Sequence, residues 1–293
     1  MTRAGTVAVV GKPNAGKSTL LNRIIGQKLS ITSAKPQSTR DRIIGIHTAG
    51  DVQMIITDTP GLMNPRYALQ HAMRASAAKA LADADVIVYV VDAATATDGQ
   101  VEPLASAADL SGPPRRPVLL AINKVDRLPD SQRTALSQRD PEALFVSALT
   151  GDGVSELLSR IAEHLPESPF FYSADDIGTQ SVRFFASELV RETALEQLDE
   201  EVPYSVACEI EEFREDRTPI YIRAVVYVER DTQKGILIGH RGAQIRDIGR
   251  AARLKIENLV GAPVYLDLRV KVLANWRRDA RALRRFGYSA PQR

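Results

Sequence analysis

The sequence predicts two domains in series. Residues 1–166 read as an α/β domain with a mixed, mostly parallel sheet, residues 167–178 as a linker, and residues 179–293 as a smaller α+β domain. Three observations carry this. The stretch GKPNAGKS, residues 11–18, lies between an apolar β-branched run and an amphipathic segment. Apolar strand-like runs then alternate with helical periodicity to about residue 165, the pattern of a parallel-rich sheet. Finally, charge breaks along the chain: residues 1–172 hold 18 basic and 17 acidic side chains, 173–232 hold 6 and 15, and 233–293 hold 14 and 4. A basic end of this kind suits a polyanion.

Composition bounds the rest. With 293 residues, 44% hydrophobic and 25% charged, the chain is long enough for about two packed cores. No apolar run approaches the ~18 residues of a transmembrane helix. The opening Met1-Thr2-Arg3 superficially resembles a signal peptide, but its apolar run ends in the glycine loop, so it reads as a strand. One cysteine, Cys208, makes no internal disulfide and suits a reducing, cytoplasmic location. Alternating with Tyr204, Val206 and Ile210, it reads as core. The four histidines, His47, His71, His164 and His240, lack metal-ligand spacing.

Taken in order, Thr6, Val7, Ala8, Val9 and Val10 form a strand, and Leu20, Leu21, Ile24 and Ile25 an apolar helix face. The loop between them has the strand–turn–helix context of a phosphate-binding loop. Gly11 and Gly16 permit backbone geometry that a Cβ obstructs, so successive N–H groups can face a phosphate beside a helix N-terminus. The binding set here is Gly11, Lys12, Pro13, Asn14, Ala15, Gly16, Lys17, Ser18 and Thr19. Lys17 would reach β/γ-phosphate oxygens and Ser18 would ligate Mg²⁺.

Residues 30–41 are polar and loop-like; 42–48 and 52–57 read as a hairpin turning at Ala49-Gly50-Asp51. The second strand ends in Asp58, Thr59, Pro60 and Gly61. A carboxylate at that strand end can serve Mg²⁺ through water, and Gly61 leaves an N–H free for a terminal phosphate. Residues 66–82 read as a helix, 86–91 as a buried strand, 100–110 as helical, and 118–122 as a strand. That strand runs into Asn123, Lys124, Val125 and Asp126. The Asp126 carboxylate can accept from the ring N–H and the exocyclic amine of guanine together, whereas adenine would leave it unpaired. Asn123 would brace the loops and the Lys124 stem could cover the base. Taken alone, NKVD also reads as a helix-capping turn. Strand Leu144–Val146 ends in Ser147-Ala148, where a backbone N–H can meet guanine O6.

Residues 165–172, with Pro166, Pro169, Phe170, Phe171 and Tyr172, read as the start of a linker pinned by apolar contacts. Then come a helix over 180–198, a strand over 204–212 and a strand over Ile220–Val228 with Ile220, Ile222, Ala224, Val226 and Val228 inward. Gly239, His240, Arg241 and Gly242 form a GxxG loop between helical segments. The following helix places Ile245, Ile248, Ala252, Ile256 and Leu259 on one face and Arg246, Arg250 and Arg253 on another. A strand with Val264, Leu266, Leu268 and Val270 inward precedes a basic helix from Asn275. With 18 glycines, about one GxxG arises by chance, and the arginine face alone could be a solvated one.

Together, GKPNAGKS, Thr39, DTPG, NKVD and Ser147-Ala148-Leu149 resemble the five ordered signatures of Ras-like GTPases. The α-β-β-α-α-β order around GHRG resembles a type II KH domain, whose GxxG loop clamps a single-stranded RNA backbone. Joined, and with PQST, DTPGL, PYSV, IGHRG and Trp276 in place, the chain resembles the Era family over nearly its whole length. The resemblance implies a GTPase that takes GTP or GDP with Mg²⁺ on Ser18, Thr39 and Asp58, and uses Lys17, Thr39, Asp58, Gly61 and Asn14 in hydrolysis. It implies a monomer that binds the 3′ region of 16S, small-subunit rRNA and the pre-30S particle, and assists rRNA processing and 30S assembly. Gly239, His240, Arg241, Gly242, Arg246, Arg250 and Arg253 would contact RNA.

One position departs from the Ras pattern. Leu62 stands where a glutamine orients water, which implies slow intrinsic hydrolysis. In the related branch with PNxGKS loops an asparagine such as Asn14 helps hold K⁺; Asn14 is equally explained as a turn residue. Two other readings stay open: an RNA-binding assembly factor with GTP as a structural ligand, and a peripheral protein whose Arg277, Arg278, Arg281, Arg284 and Arg285 meet anionic membrane.

Base choice is testable at once. Asp126→Asn should lose GTP affinity and gain xanthosine triphosphate affinity, because its amide can donate to the 2-oxo group. Equal binding of GTP and ATP by the wild type would defeat the assignment of NKVD.

Overall fold

In the computed structural model, which describes residues 1–99 and 101–288, contacts divide the chain into two compact units. One comprises 1–65 with 73–179, the other 66–72 with 180–293.

The first unit is built on β1 (Arg3–Val10), α1 (Lys17–Ile25), β2 (Ile43–Ala49), β3 (Val52–Asp58), α2 (Ala68–Asp83) from residue 73 onward, β4 (Val86–Asp92), the short α3 (Ala93–Thr97) and α4 (Leu104–Ala107), β5 (Val118–Asn123), α5 (Asp130–Arg139), β6 (Leu144–Val146) and α6 (Val154–His164). The sheet order is β2-β3-β1-β4-β5-β6. All neighbours run parallel except the β2–β3 hairpin. The central strands are buried on both faces, which explains why β4 reads as an unbroken apolar run. The connections leaving β1 and β4 depart to opposite sides, opening a crevice at the strands' C-terminal edge where a ligand can sit.

Two expectations need correction here. The helix over 100–110 shrinks to α4, because Pro103 sets its start; Gln100 lies outside the described residues. Leu165 is buried as expected, but Phe171 and Tyr172 stay 58% and 39% exposed, and this end of the linker is pinned by polar bonds. Fully buried Gln53 donates from Nε2 to the Tyr172 carbonyl at 2.9 Å and accepts from the Phe171 and Tyr172 N–H groups at 2.8 and 3.0 Å. Ile46 N–H donates to the Ile177 carbonyl at 3.0 Å, so the segment also covers the edge strand β2. It therefore belongs to the first unit.

The second unit contains α7 (Val182–Gln197), α8 (Val202–Ser205), β7 (Ala207–Arg214), β8 (Ile220–Val228), α9 (Asp231–Ile238), α10 (Ala243–Val260), β9 (Val264–Val272) and α11 (Ala280–Arg285). Its sheet is β7-β8-β9, with β8 antiparallel to β7 and parallel to β9. Ile222, Ala224, Val226 and Val228 pack with Val190, Leu237, Ile248, Ala252 and Ile256 in one core. The α-β-β-α-α-β order stands, with α8 as an added turn.

The strand expected from residue 204 begins instead at Ala207, since Val202–Ser205 form a helical turn that Pro203 favours near its start. Leu259 is 38% exposed and leaves the apolar face. The C-terminal helix from Asn275 is broken: Trp276–Arg278 form a 3₁₀ turn, and Asp279 caps α11 by accepting from Ala282 N–H at 2.7 Å. Cys208 packs against the core, where burial pushes its thiol pKa up.

Gln53→Ala should strip partners from three linker backbone groups at a cost of about 2–3 kcal/mol. Limited chymotrypsin digestion should then cut at Phe171–Tyr172 faster than in wild type, with helix content unchanged. An unaltered cleavage rate would contradict the role assigned to Gln53.

Candidate functional site

The loop after β1 folds as its glycines require. A Cβ at Gly11 would stand 2.2 Å from the Val90 carbonyl of β4, and one at Gly16 (φ +96°) 2.1 Å from Asn123 Nδ2. Lys17 opens α1 and is 6% exposed; its Nζ donates to the Lys12 carbonyl at 3.0 Å, across the loop's own cradle. Burial lowers its pKa to about 8, against the opposing pull of Asp58. A polyanion in the cradle would supply the counter-charge that this ammonium lacks. The cleft has a volume of about 510 Å³ and includes Asn14, Lys17, Ser18, Thr39, Gly61 and Lys124 in its walls.

Ser18, Thr39 and Asp58 converge. Ser18 Oγ donates to Asp58 Oδ2 at 2.7 Å, Thr39 Oγ1 donates to the same oxygen at 3.2 Å, and the two hydroxyls are 2.8 Å apart. Burial pushes the Asp58 carboxyl above its ordinary pKa, although Lys17 and the hydroxyls of Ser18, Ser30 and Thr39 pull it down. Asp58 Oδ1 is buried without a hydrogen-bond partner. Two hydroxyls beside an undersatisfied carboxylate, all oxygen donors, fit Mg²⁺. Among the described residues no group of three or more His, Cys, Asp and Glu side chains is placed to hold a metal. Thr59 is structural: its hydroxyl donates to the Val9 carbonyl at 2.8 Å. Pro60 follows, and Gly61 lies against Pro13, where a Cβ would come within 2.7 Å of backbone.

The base-binding residues also meet. Asn123 Nδ2 donates to the Ala15 carbonyl at 2.8 Å, while its Oδ1 accepts from Ala148 N–H at 2.9 Å. Ser147 Oγ donates to Asp126 Oδ1 at 2.6 Å, setting the carboxylate's orientation. Lys124 adopts a left-handed φ of 69°, Val125 is buried beneath it, and the ammonium bridges the Asn14 carbonyl at 2.6 Å and Asp92 at 2.5 Å. One expectation is modified. Ser147 N–H is spent on the Asp152 carbonyl, and Ala148 N–H on Asn123, so guanine O6 must share the Ala148 donor or draw on Leu149.

Leu62 is 8% exposed and packs with Ala8, Val10 and Ala77, which removes it from the catalytic face altogether. Asn14, at φ 62°, donates from Nδ2 to the Ala34 carbonyl at 2.8 Å, tying the phosphate loop to the polar segment ahead of Thr39.

In the second unit, Gly239, Arg241 and Gly242 all have left-handed φ, at 71°, 49° and 76°. A Cβ at Gly239 would sit 2.7 Å from Gln244 Cβ, so the loop folds only with glycine there. His240 and Arg241 are exposed ahead of α10. The arginine face is less uniform than its spacing suggests. Arg246 donates to the Arg241 carbonyl at 2.9 Å and Arg253 pairs with Glu257 at 2.8 Å, while Arg241, Arg246 and Arg250 have no ion pair among the described residues. Elsewhere the basic end meets the acidic middle: Lys255 with Glu192 and Glu196, Lys271 with Glu211, Arg277 with Glu229, and Arg285 with Glu209.

Comparison with known proteins fits this geometry. A family model described as 50S ribosome-binding GTPase matches residues 6–124, and a KH domain model matches 201–277. GTPase Era of Ectopseudomonas mendocina is 45% identical, with 98% of both chains covered. That of Pseudomonas fluorescens is 46% identical over 98% of this chain and 97% of its own. The chain belongs to the Era family of GTPases. Two solved Era structures superpose with TM-scores of 0.91. An Aquifex aeolicus Era variant bound to GDP·AlF₄⁻ shares 38% identity over 98% of this chain and all of its own. An Era complex with MgGDPNP and nucleotides 1506–1542 of 16S rRNA shares 37% over 99% of this chain and all of its own.

Motif reading misses several residues that shape this Era-family site. Asp92 caps α3 and holds Lys124, and Asn22 Oδ1 accepts from Leu29 and Ser30 N–H groups, both at 2.9 Å. Neither lies in a motif. A carboxylate ending the apolar run of β4 was the one available signal.

Leu62→Ala should remove core packing, lowering stability by about 2 kcal/mol in urea unfolding, with turnover per folded molecule nearly unchanged. A large loss of kcat with stability intact would put Leu62 in the chemistry after all.

Proposed function

We propose that the protein is a GTP-hydrolysing switch that binds the 3′ region of small-subunit rRNA through its second unit and assists maturation of that subunit. The observation that carries the reading is the strained, exposed GHRG loop at the head of α10, in a chain superposable over 99% of its length on an Era–rRNA complex. The family model named for large-subunit binding spans only residues 6–124, outside this loop. RNA phosphates would approach the glycines closely, with Arg241 and Arg250 supplying free charge. An anionic membrane is a weaker reading, because Arg277 and Arg285 hold Glu229 and Glu209 and the basic segment is broken at Asp279.

Hydrolysis places a water oxygen on the γ-phosphorus and releases GDP and phosphate. Loop N–H groups and Lys17 would stabilise charge on the transferring group. Ser18, Thr39 and Asp58 would hold Mg²⁺, which supplies charge neutralisation at the β/γ oxygens. Asp126 selects guanine. With Leu62 turned into the core, further electrostatics must come from elsewhere, and we assign it to K⁺ beside Asn14, whose Oδ1 has no protein partner among the described residues. Turnover should be faster in K⁺ than in Na⁺, and Asn14→Ala should abolish the difference. Equal rates in the two salts would retire K⁺ and leave the GTPase standing.

For RNA, Gly242→Asp adds both a strained side chain and a negative charge, and should abolish binding of a 3′-terminal 16S fragment while GTP affinity is kept. Arg241→Ala should lower the log–log salt slope by about 0.7. A folded Gly242→Asp protein that binds this RNA as tightly as wild type would overturn the proposal.

A further inference from the structure

Arg23, in the last turn of α1, belongs to none of the nucleotide motifs, yet it reaches the base-binding loop. Its Nε donates to the Ala148 carbonyl at 3.1 Å and its Nη2 to the Leu149 carbonyl. The planar guanidinium thus spans two successive peptide groups, a geometry that lysine cannot reproduce with one ammonium. The same loop is fixed from its other side by Asn123 at Ala148 N–H and by Asp126 at Ser147 Oγ. Leu149 itself is 64% exposed, so side-chain packing does not hold this end.

In a trans peptide the C=O of one residue and the N–H of the next point in opposite directions. Fixing the Ala148 carbonyl on Arg23 therefore fixes the direction of the Leu149 N–H, and the cation polarises that peptide into a stronger donor. Ser147 and Ala148 N–H groups already have protein acceptors, so the donors available to a 6-oxo group depend on how this end of the loop is held.

We propose that Arg23 is a positioning residue for guanine recognition: it clamps the loop of Ser147, Ala148 and Leu149 to the helix that begins at the phosphate loop, and so sets the 6-oxo contact and the residence time of the nucleotide. The inference rests on the guanine reading of the site. It differs from the role of Asp126, which reads the ring N–H and the 2-amino group.

The test uses the full-length protein carrying Arg23→Ala or Arg23→Lys, with three readouts: dissociation of a fluorescent GDP, the GTP to 6-thio-GTP affinity ratio, and the GTP to inosine triphosphate ratio. Arg23→Ala should speed GDP release about tenfold, as expected for loss of charge-assisted bonds, and should bring the 6-thio ratio toward one. The inosine ratio, which reports Asp126, should stay at its wild-type value. Arg23→Lys keeps the charge at the helix end and should restore the rate only in part. Wild-type release and ratios in Arg23→Ala would overturn the proposal. So would full rescue by lysine, which would reduce Arg23 to a helix-end charge, or an equal fall in both ratios, which would mean general loosening. A wild type that prefers GTP to neither inosine triphosphate nor ATP would instead defeat the guanine reading itself, and this inference with it.

Discussion

One buried side-chain amide underlies the nucleotide site. Asn123 bonds the phosphate loop through Ala15 and the base loop through Ala148, at 2.8 and 2.9 Å. These loops come from opposite ends of the first unit's sequence, and this one amide ties them together. The amide works because it is 1% exposed, where an unmade hydrogen bond is expensive and a made one is rigid. It also dictates Gly16, since any Cβ there would collide with Nδ2. Lys124 repeats the device one residue later by joining Asn14 to Asp92. Base specificity and phosphate binding are therefore mechanically one site.

The same cleft holds electrostatic tension. Lys17 and Asp58 are both buried, and burial shifts each toward its neutral form. Their mutual attraction offsets part of this cost, and the rest is left for ligands to relieve: phosphate for the ammonium, a hard cation for the carboxylate with its bare oxygen. The dipole of α1 adds to this bias toward an anion. A site prepared in this way contributes to binding without reorganising at the moment of reaction.

In the second unit, part of the charge is spent internally. The net acidic middle and the net basic end are partners in the fold, with Lys255, Lys271, Arg277 and Arg285 all bonded to glutamates. Such partly exposed pairs contribute little stability each, yet they fix which arginines remain for other work. Arg241, Arg246 and Arg250, at or just after the GHRG loop, are among those that remain. Backbone conformation supplies the rest, through three left-handed residues within four positions.

Much was determined by sequence alone. The glycine loop, DTPG, NKVD and the hydrophobic periods are local features, and local sterics and 2.0 or 3.6 residue periods read them without a fold. Strands Leu144–Val146 and Ile220–Val228 carry the same bounds by pattern and by structure. Only tertiary structure decided the convergence of Ser18, Thr39 and Asp58, the internal use of the basic end, the hold of Gln53 on the linker, and the reach of Arg23 to a loop 125 residues away. None of these has a local signal. An Arg, a Gln or an Asn within a helix or strand has the same propensity whether its head meets water or a distant carbonyl. The partner exists only once the sheet order has brought two remote loops together.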